Sequence, residues 1–300
     1  MEQKPSYRVV GIALAVFAII AFSLRPILIK LSYSYVVDPV TLLALRMVFS
    51  LPFFLLAALW SRRDGAREPI SRRDWFTIAG LGFFGYYLAS FLDFLALQYI
   101  SAGLGRLLLF TYPTMVVLLS LFFLGKRIKG REIVALLLTY AGLALVLSRA
   151  MSGQNTHLPL GAALAFGSAA LYAIYLVAGS QVIQRVGALR FTAYATIVAS
   201  VCCIVQFFAL RPLSALHLPS QVYGLAIIMA LVSTVFPVFM TAEALRRIGA
   251  NHVAMIGALG PVSTIAMGYF GLEETLTALQ IFGALLVLAG VMVVSLKGKA

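Results

Sequence analysis

The sequence predicts an all-α integral membrane protein of ten transmembrane helices arranged as two inverted five-helix repeats, and three observations predict it. Hydrophobic residues make up 62% of the 300 residues and charged residues only 11%, against roughly 45–50% and about 25% in a soluble domain. A soluble fold of this size must cover its surface with polar groups, which 11% charge and a mean hydropathy of +1.00 do not allow. Soluble enzymes, disordered chains and disulfide scaffolds are thereby excluded. The second observation is a series of ten apolar stretches of bilayer length. The third is that the two halves of the chain match each other.

The apolar stretches follow in order. Residues 9–31 begin after Arg8, run too long for a signal-peptide core and are read as a retained first span. Residues 40–60 lie between Asp38-Pro39 and Arg62-Arg63, and residues 75–99 between Arg72-Arg73 and Ser101. Residues 102–124 end before Lys126, and 132–148 fall between Arg131 and Arg149. The second half continues with 160–183 after Pro159, 191–210 between Arg190 and Arg211, and 221–245 before Arg246-Arg247. Residues 251–271 run from Asn251 towards Glu273-Glu274, and 278–296 end at Lys297. The loops are short and leave no room for a soluble domain.

The net charge of +13 is read through the membrane rather than as a nucleic-acid signal. With the N-terminus in the cytoplasm, 17 of the 23 Lys and Arg fall in cytoplasmic segments. Three (Lys30, Arg149, Arg211) fall outside and three (Arg25, Arg46, Arg106) lie within spans. This asymmetry predicts a multi-pass inner-membrane protein with both termini cytoplasmic.

The halves, residues 1–150 and 151–300, align at an offset of 148: Ile100 falls on Ile248, Ala102 on Ala250, Pro113 on Pro261, and Ala141-Gly142 on Ala289-Gly290. Gly11 and Gly161 open similar apolar runs. Five spans per half is an odd number, so the second half enters the membrane upside down. Inverted repeats with a site between them at the midplane are a signature of secondary transporters.

Two stretches carry a pattern: ALQYISAG…TYPTMVVLLSLFFLGKRIKGREIVALLLTYAGLALV over 96–146, and ALRRIGANHVAMIGALGPVSTIAMGYFGLEETLTALQIFGALLVLAGVMVV over 244–294. Both resemble the repeat of EamA-type members of the drug/metabolite transporter superfamily, with its small-residue entry, central Pro and Gly-containing last span. The resemblance extends over the whole chain. It implies a ten-helix inverted-repeat fold and movement of small metabolites, commonly export of amino acids or related compounds. There is one departure. The family's acidic residue at the end of the fourth span of each repeat is Glu274 in the second half, but Lys126 in the first.

Ionisable groups within spans are costly and are functional candidates. Arg25, Arg46, Asp93 and Arg106 sit at similar depth in four consecutive spans and sum to +2. One reading is an anion-binding layer, in which Arg25 or Arg106 holds a carboxylate. The other is a brace, with Asp93 neutralising one arginine, Arg46 among them, while the rest snorkel to headgroups. Glu243 precedes Arg247 by four residues and reads as a helical ion pair, with proton coupling the lesser alternative. Near the midplane, Tyr86 and Ser90 share a helical face with Asp93; Tyr112, Tyr172, Tyr175 and Thr234 supply further hydroxyls. Together with Arg25 and Arg106 these are the candidate substrate contacts, against a background of ordinary small-residue helix packing. Pro113, Pro237 and Pro261 are candidate hinges or passive bends.

No GxxxxGK[ST] or HExxH stretch occurs, the three histidines lack metal-ligand spacing, and adjacent Cys202 and Cys203 do not suit a mutual disulfide. Neither an enzyme nor a cofactor is implied. The expected partners are a small-molecule substrate and the lipid bilayer, not nucleic acid; the oligomeric state stays open and a monomer is compatible. The expected function is secondary active transport of a small metabolite, with export of amino acids or related carboxylate-bearing amphipathic compounds favoured. Efflux of hydrophobic drugs or other organic anions, or passive channel flux, is the alternative.

Overall fold

A computed structural model describes residues 5–63, 70–124, 130–151 and 156–295, and all regular structure among them is helical. The first span is α1 (Pro5–Ser23) and α2 (Arg25–Tyr33); the second is α3 (Pro39–Arg63). The third combines α4 (Arg72–Leu81), a π-helical turn (Gly82–Leu88) and α5 (Ala89–Tyr99). The fourth is α6 (Ala102–Leu109) followed by α7 (Tyr112–Leu124), and the fifth is α8 (Gly130–Met151). In the second half α9 (Leu158–Val186) and α10 (Ala188–Leu210) are uninterrupted. The eighth span is α11 (Ser220–Ala230), a second π turn (Leu231–Val235) and the first part of α12 (Phe236–Gly257). The rest of α12 and α13 (Leu259–Leu272) form the ninth, and α14 (Ala278–Ser295) is the tenth. Eight helices are long and apolar enough to cross a membrane, and Leu259–Leu272 and Ala278–Val293 are shorter apolar helices. Within α12 the chain turns at Gly249, whose φ of 76° is open to a residue without Cβ, so the eighth and ninth spans separate there.

The inverted repeat is visible in the packing. α1 lies on α12 as α5 lies on α9, and α3 on α10, α6 on α13 and α8 on α14 are each their own images. A Cβ on Gly11 would stand 2.6 Å from Ile248 Cγ2, and one on Gly161 would stand 2.8 Å from Ile100 Cγ2. A Cβ on Gly142 would stand 2.5 Å from the Gly283 carbonyl oxygen, and one on Gly290 would stand 2.6 Å from that of Ala135. The offset of 148 carries Ala135 to Gly283 and Gly142 to Gly290, so these two close approaches are one contact seen twice. Small residues let the backbones of α8 and α14 touch, which is how membrane helices gain van der Waals contact where no hydrophobic force drives them together.

The irregularities repeat as well. Adding 148 to residues 83–87 gives 231–235, so the two π turns occupy equivalent places. The fourth span breaks after Leu109 and the ninth after Gly257, again 148 residues apart, and Pro113 and Pro261 fall in the first turn of the helix that restarts. A proline there lacks the N–H that would have continued the preceding helix. Pro237 follows the second π turn directly. The first span, expected over 9–31, runs as Tyr7–Tyr33 with an interruption at Leu24 before Arg25-Pro26; its counterpart α9 runs straight through.

Polar clips close the two ends. At one end Asp74 pairs with Arg185, tying α4 to α9. Glu243 accepts from Arg247 at 2.6 Å, the expected i,i+4 pair, and also from Arg246 at 2.7 Å. At the other end Asp38 caps α3 through the Val40 and Thr41 amides and pairs with Arg211 at 3.0 Å. Of the charges expected to orient the chain, Lys4, Arg67, Lys126, Arg127, Lys129, Lys297 and Lys299 lie outside the described residues.

Two outcomes are expected. Gly142→Ala must push α8 from α14 and should lower stability by about 1–3 kcal/mol, whereas Gly224→Ala, with open space around it, should leave the melting midpoint of the purified protein unchanged. Equal midpoints for the two variants would show that the close approach is not needed. For Asp38, burial pushes the carboxyl up, but the Thr41 hydroxyl and the Arg211 guanidinium outweigh it and hold it below its usual value. The pair therefore stabilises above the unfolded value of about pH 4 and is lost as pH falls through the lower folded value. Asp38→Asn should cost at most about 1 kcal/mol at pH 7, and the gap to the unmodified protein should close on acidification.

Candidate functional site

Four of the expected substrate contacts come together. The Tyr86 ring meets Tyr175 edge-on at 5.2 Å, Tyr175 stacks on Tyr172 at 5.9 Å, and Tyr172 meets Tyr112 edge-on at 5.0 Å. Phe110 extends the chain at 5.8 Å from Tyr112, and Phe191 backs Tyr175 at 5.4 Å. Tyr86, Tyr112 and Tyr172 lie near the middle of their spans and are half-buried, while Tyr175 is buried behind them. The Tyr86 hydroxyl meets Thr196 and Tyr175, and that of Tyr175 meets Thr192. The third, fourth, sixth and seventh spans thus build one aromatic wall with hydroxyl edges, suited to a solute with both apolar and polar parts.

Beside this wall lies the arginine layer, about 6–11 Å from mid-span towards the Asp38 end at 1.5 Å per residue. Arg46 is 1% and Arg106 7% exposed, so neither reaches headgroups and the snorkelling reading does not hold for them. Asp93 is buried and its ion-pair partner is Arg25, at 3.7 Å, not Arg46. Arg46 instead lies over the Phe94 ring at 4.9 Å, and Arg106 is 5.8 Å from the Phe110 ring. The Nε atoms of Arg25, Arg46 and Arg106 are all buried without a hydrogen-bond partner. Arg46 and Arg106 both lie within electrostatic reach of Arg25 and Asp93, and Arg106 within reach of Tyr112 and Tyr172. Layer and wall therefore adjoin.

The helix breaks lie beside this layer. α2 begins at Arg25, α7 at Tyr112 and α13 at Leu259, so at each break the positive dipole end of one helix lies next to the negative dipole end of the helix before it. Ser23 donates to the Gly260 carbonyl at 3.0 Å and Thr264 donates to the Ser23 carbonyl at 3.1 Å, joining the breaks of the first and ninth spans. Gly260 leaves room for Arg106: a Cβ there would stand 3.2 Å from the guanidinium.

Glu274 was expected only as a span-end charge. Its carboxylate accepts from the Ala102 amide at 2.7 Å and the Gly103 amide at 3.1 Å, capping α6 from the other repeat. Arg106 sits in the last turn of the same short helix, so its dipole has an anion at the positive end and a cation at the negative end. The sequence signal was available, since Ala102 opens a helix directly after Ser101, but which carboxylate reaches it was not. Its repeat counterpart, Lys126, lies outside the described residues.

Other candidates stand apart. Thr234 is buried and its hydroxyl returns to the Met229 carbonyl at 3.0 Å within its own π turn. Ser90 is half-buried, and no hydrogen bond or ring contact among the described residues joins it to the tyrosines. Ser168 spends its hydroxyl on the Ala89 carbonyl at 2.7 Å, holding α9 to α5. On the Asp38 side of the layer, a cavity of about 420 Å³ is lined by Lys30, Tyr33, Asp38, Leu97 and Gln98 among others. Tyr33 donates to the Phe94 carbonyl at 2.7 Å, next to Asp93.

Comparison with known proteins agrees with this architecture. The chain is 30% identical to the uncharacterized transporter YcbK of Bacillus subtilis (strain 168), over 88% of its own length and 86% of the relative's. It is 29% identical to the threonine/homoserine exporter RhtA of Salmonella typhimurium (strain SL1344), over 70% of this chain and 68% of that one. A solved crystal structure covers 98% of the chain and 99% of its own length at a TM-score of 0.66 and 19% identity, which shows a shared fold. The profile of the EamA-like transporter family matches twice, over residues 9–148 and 159–296. This chain belongs to the EamA-like transporter family.

Proposed function

We propose that the chain is a secondary transporter that exports a small carboxylate-bearing amphipathic metabolite, an amino acid or a related compound, across the inner membrane by alternating access. The observation that carries this reading is that a mid-span tyrosine wall lies beside a layer of arginines within the spans, where helices of both repeats are broken. The aromatic faces take the apolar part of the solute, and Arg25 or Arg106 takes the carboxylate. Residues 1–150 and 151–300 form the two units that rock, with Pro113, Pro237 and Pro261 at the places where helix continuity is already interrupted. The excess of Lys and Arg in alternate loops puts both termini in the cytoplasm. The likeness to a threonine/homoserine exporter supports export and an amino-acid-like cargo. The net positive layer disfavours cationic drugs.

The test is counterflow in proteoliposomes preloaded with a pool of unlabelled amino acids and organic acids, following labelled compounds outside. Saturable accumulation that depends on the preload is expected. Linear, unsaturable flux would identify a channel, and no flux through folded, inserted protein would remove the reading. Arg106→Ala should lose at least about tenfold in uptake, and Tyr172→Phe about fivefold, the loss of one hydrogen bond. Full transport by Arg106→Ala would take that arginine out of the substrate path.

A further inference from the structure

We infer that the site is built for a solute of net charge −2, an organic dianion with two carboxylates or one phosphate monoester, rather than for a zwitterion. This rests on the reading of the arginine layer as part of the substrate path; it replaces the amino acid by a dianion on the ground of charge and admits a phosphate monoester beside a dicarboxylate.

The count comes first. Arg25, Arg46 and Arg106 bring three positive charges to one layer, and Asp93 is the one carboxylate among the described residues there. Two positive charges remain without a counter-ion inside a membrane protein, where an uncompensated charge is strongly unfavourable. A zwitterion leaves that excess as it was, a monoanion halves it, and a dianion closes it.

The geometry of the donors points the same way. Carboxylates and phosphates bind arginine side-on through the Nε–H and one terminal nitrogen, giving two parallel hydrogen bonds. All three arginines keep Nε buried and unpartnered. Asp93 reaches Arg25 only through a terminal nitrogen, at 3.7 Å, which is an ion contact and too long for a hydrogen bond. The strongest anion-binding edge of each arginine is thus unused by the protein. Arg46 lies over the Phe94 ring and Arg106 beside the Phe110 ring, neither of which offers the guanidinium a counter-charge.

The experiment measures anion binding by the purified full chain, as the rise of its melting midpoint with malonate, glycerol 3-phosphate, acetate or threonine at constant ionic strength. At least one of the two dianions should stabilise saturably, at concentrations tenfold or more below acetate, and threonine should give no shift. Which dianion acts distinguishes a dicarboxylate site from a phosphate-monoester site. Arg106→Gln should reduce the preference for dianion over acetate at least tenfold. Asp93→Asn should do the reverse and bind the dianion more tightly, an outcome that loss of folding does not produce. Threonine stabilising as well as either dianion, or all four compounds acting alike, overturns the inference. Counterflow of threonine without a dianion response overturns it while leaving the transporter reading standing. Dianion binding without counterflow of any compound does the opposite.

Discussion

A bilayer offers no water to a carbonyl freed from its helix or to a guanidinium, so every such group must be accommodated inside the protein. In this chain the breaks and the charges are gathered in one place. The first and ninth spans interrupt beside one another, joined by Ser23, Gly260 and Thr264, and Gly260 faces Arg106 and Phe110 at the break of the fourth. Arg25 and Arg106 sit at those interruptions, and Arg46 is sealed under Phe94. The third and eighth spans carry π turns at equivalent places, and α8 and α14 meet where glycines let their backbones approach. The distinction between frame and candidate site follows from this constraint: the helix breaks of the first, fourth and ninth spans lie beside the buried charges, where polar groups can find partners inside the protein.

The architecture is symmetric and the chemistry is not. The π turns, the restarts before Pro113 and Pro261, and the glycine contacts each occur twice at the repeat offset. The charges occur once. The offset carries Arg46 to Tyr194, Asp93 to Thr241 and Arg106 to Ala254. Glu274 caps the α6 helix that carries Arg106, and its counterpart in the sequence is a lysine. Duplication explains a fold that can present the same surfaces to both sides. The polar layer lies towards one end only and breaks that symmetry.

Part of the site was legible residue by residue. Tyrosines at mid-span cannot leave their hydroxyls in hydrocarbon, so they had to turn inward, and the four that were expected to do so share one wall. Ser90 and Thr234 show where such reasoning ends. A regular helical wheel places Ser90 on the face of Tyr86, but a π turn lies between Gly82 and Leu88, and it breaks the 3.6-residue period on which the wheel depends. The second π turn likewise leaves the Met229 carbonyl within reach of Thr234, which consumes the hydroxyl locally. The partner of Asp93 was open for a different reason: three arginines lie at similar depth in neighbouring spans, and only the packing of α2 on α5 selects Arg25.

What the sequence determined by itself is what depends on neighbours in the chain. Hydropathy and the positions of Lys and Arg depend on stretches of about 20 residues, and they set the membrane class and the order of the spans. The offset of 148 placed the second half over the first, with Pro113 on Pro261. The tertiary structure decided which groups meet: Asp93 with Arg25, Glu274 with the α6 amides, Arg46 with a ring instead of a carboxylate. These are distances between helices far apart in sequence, set by how closely glycines let backbones approach and by where helices break. No local pattern encodes such a distance, because it exists only once the spans are packed.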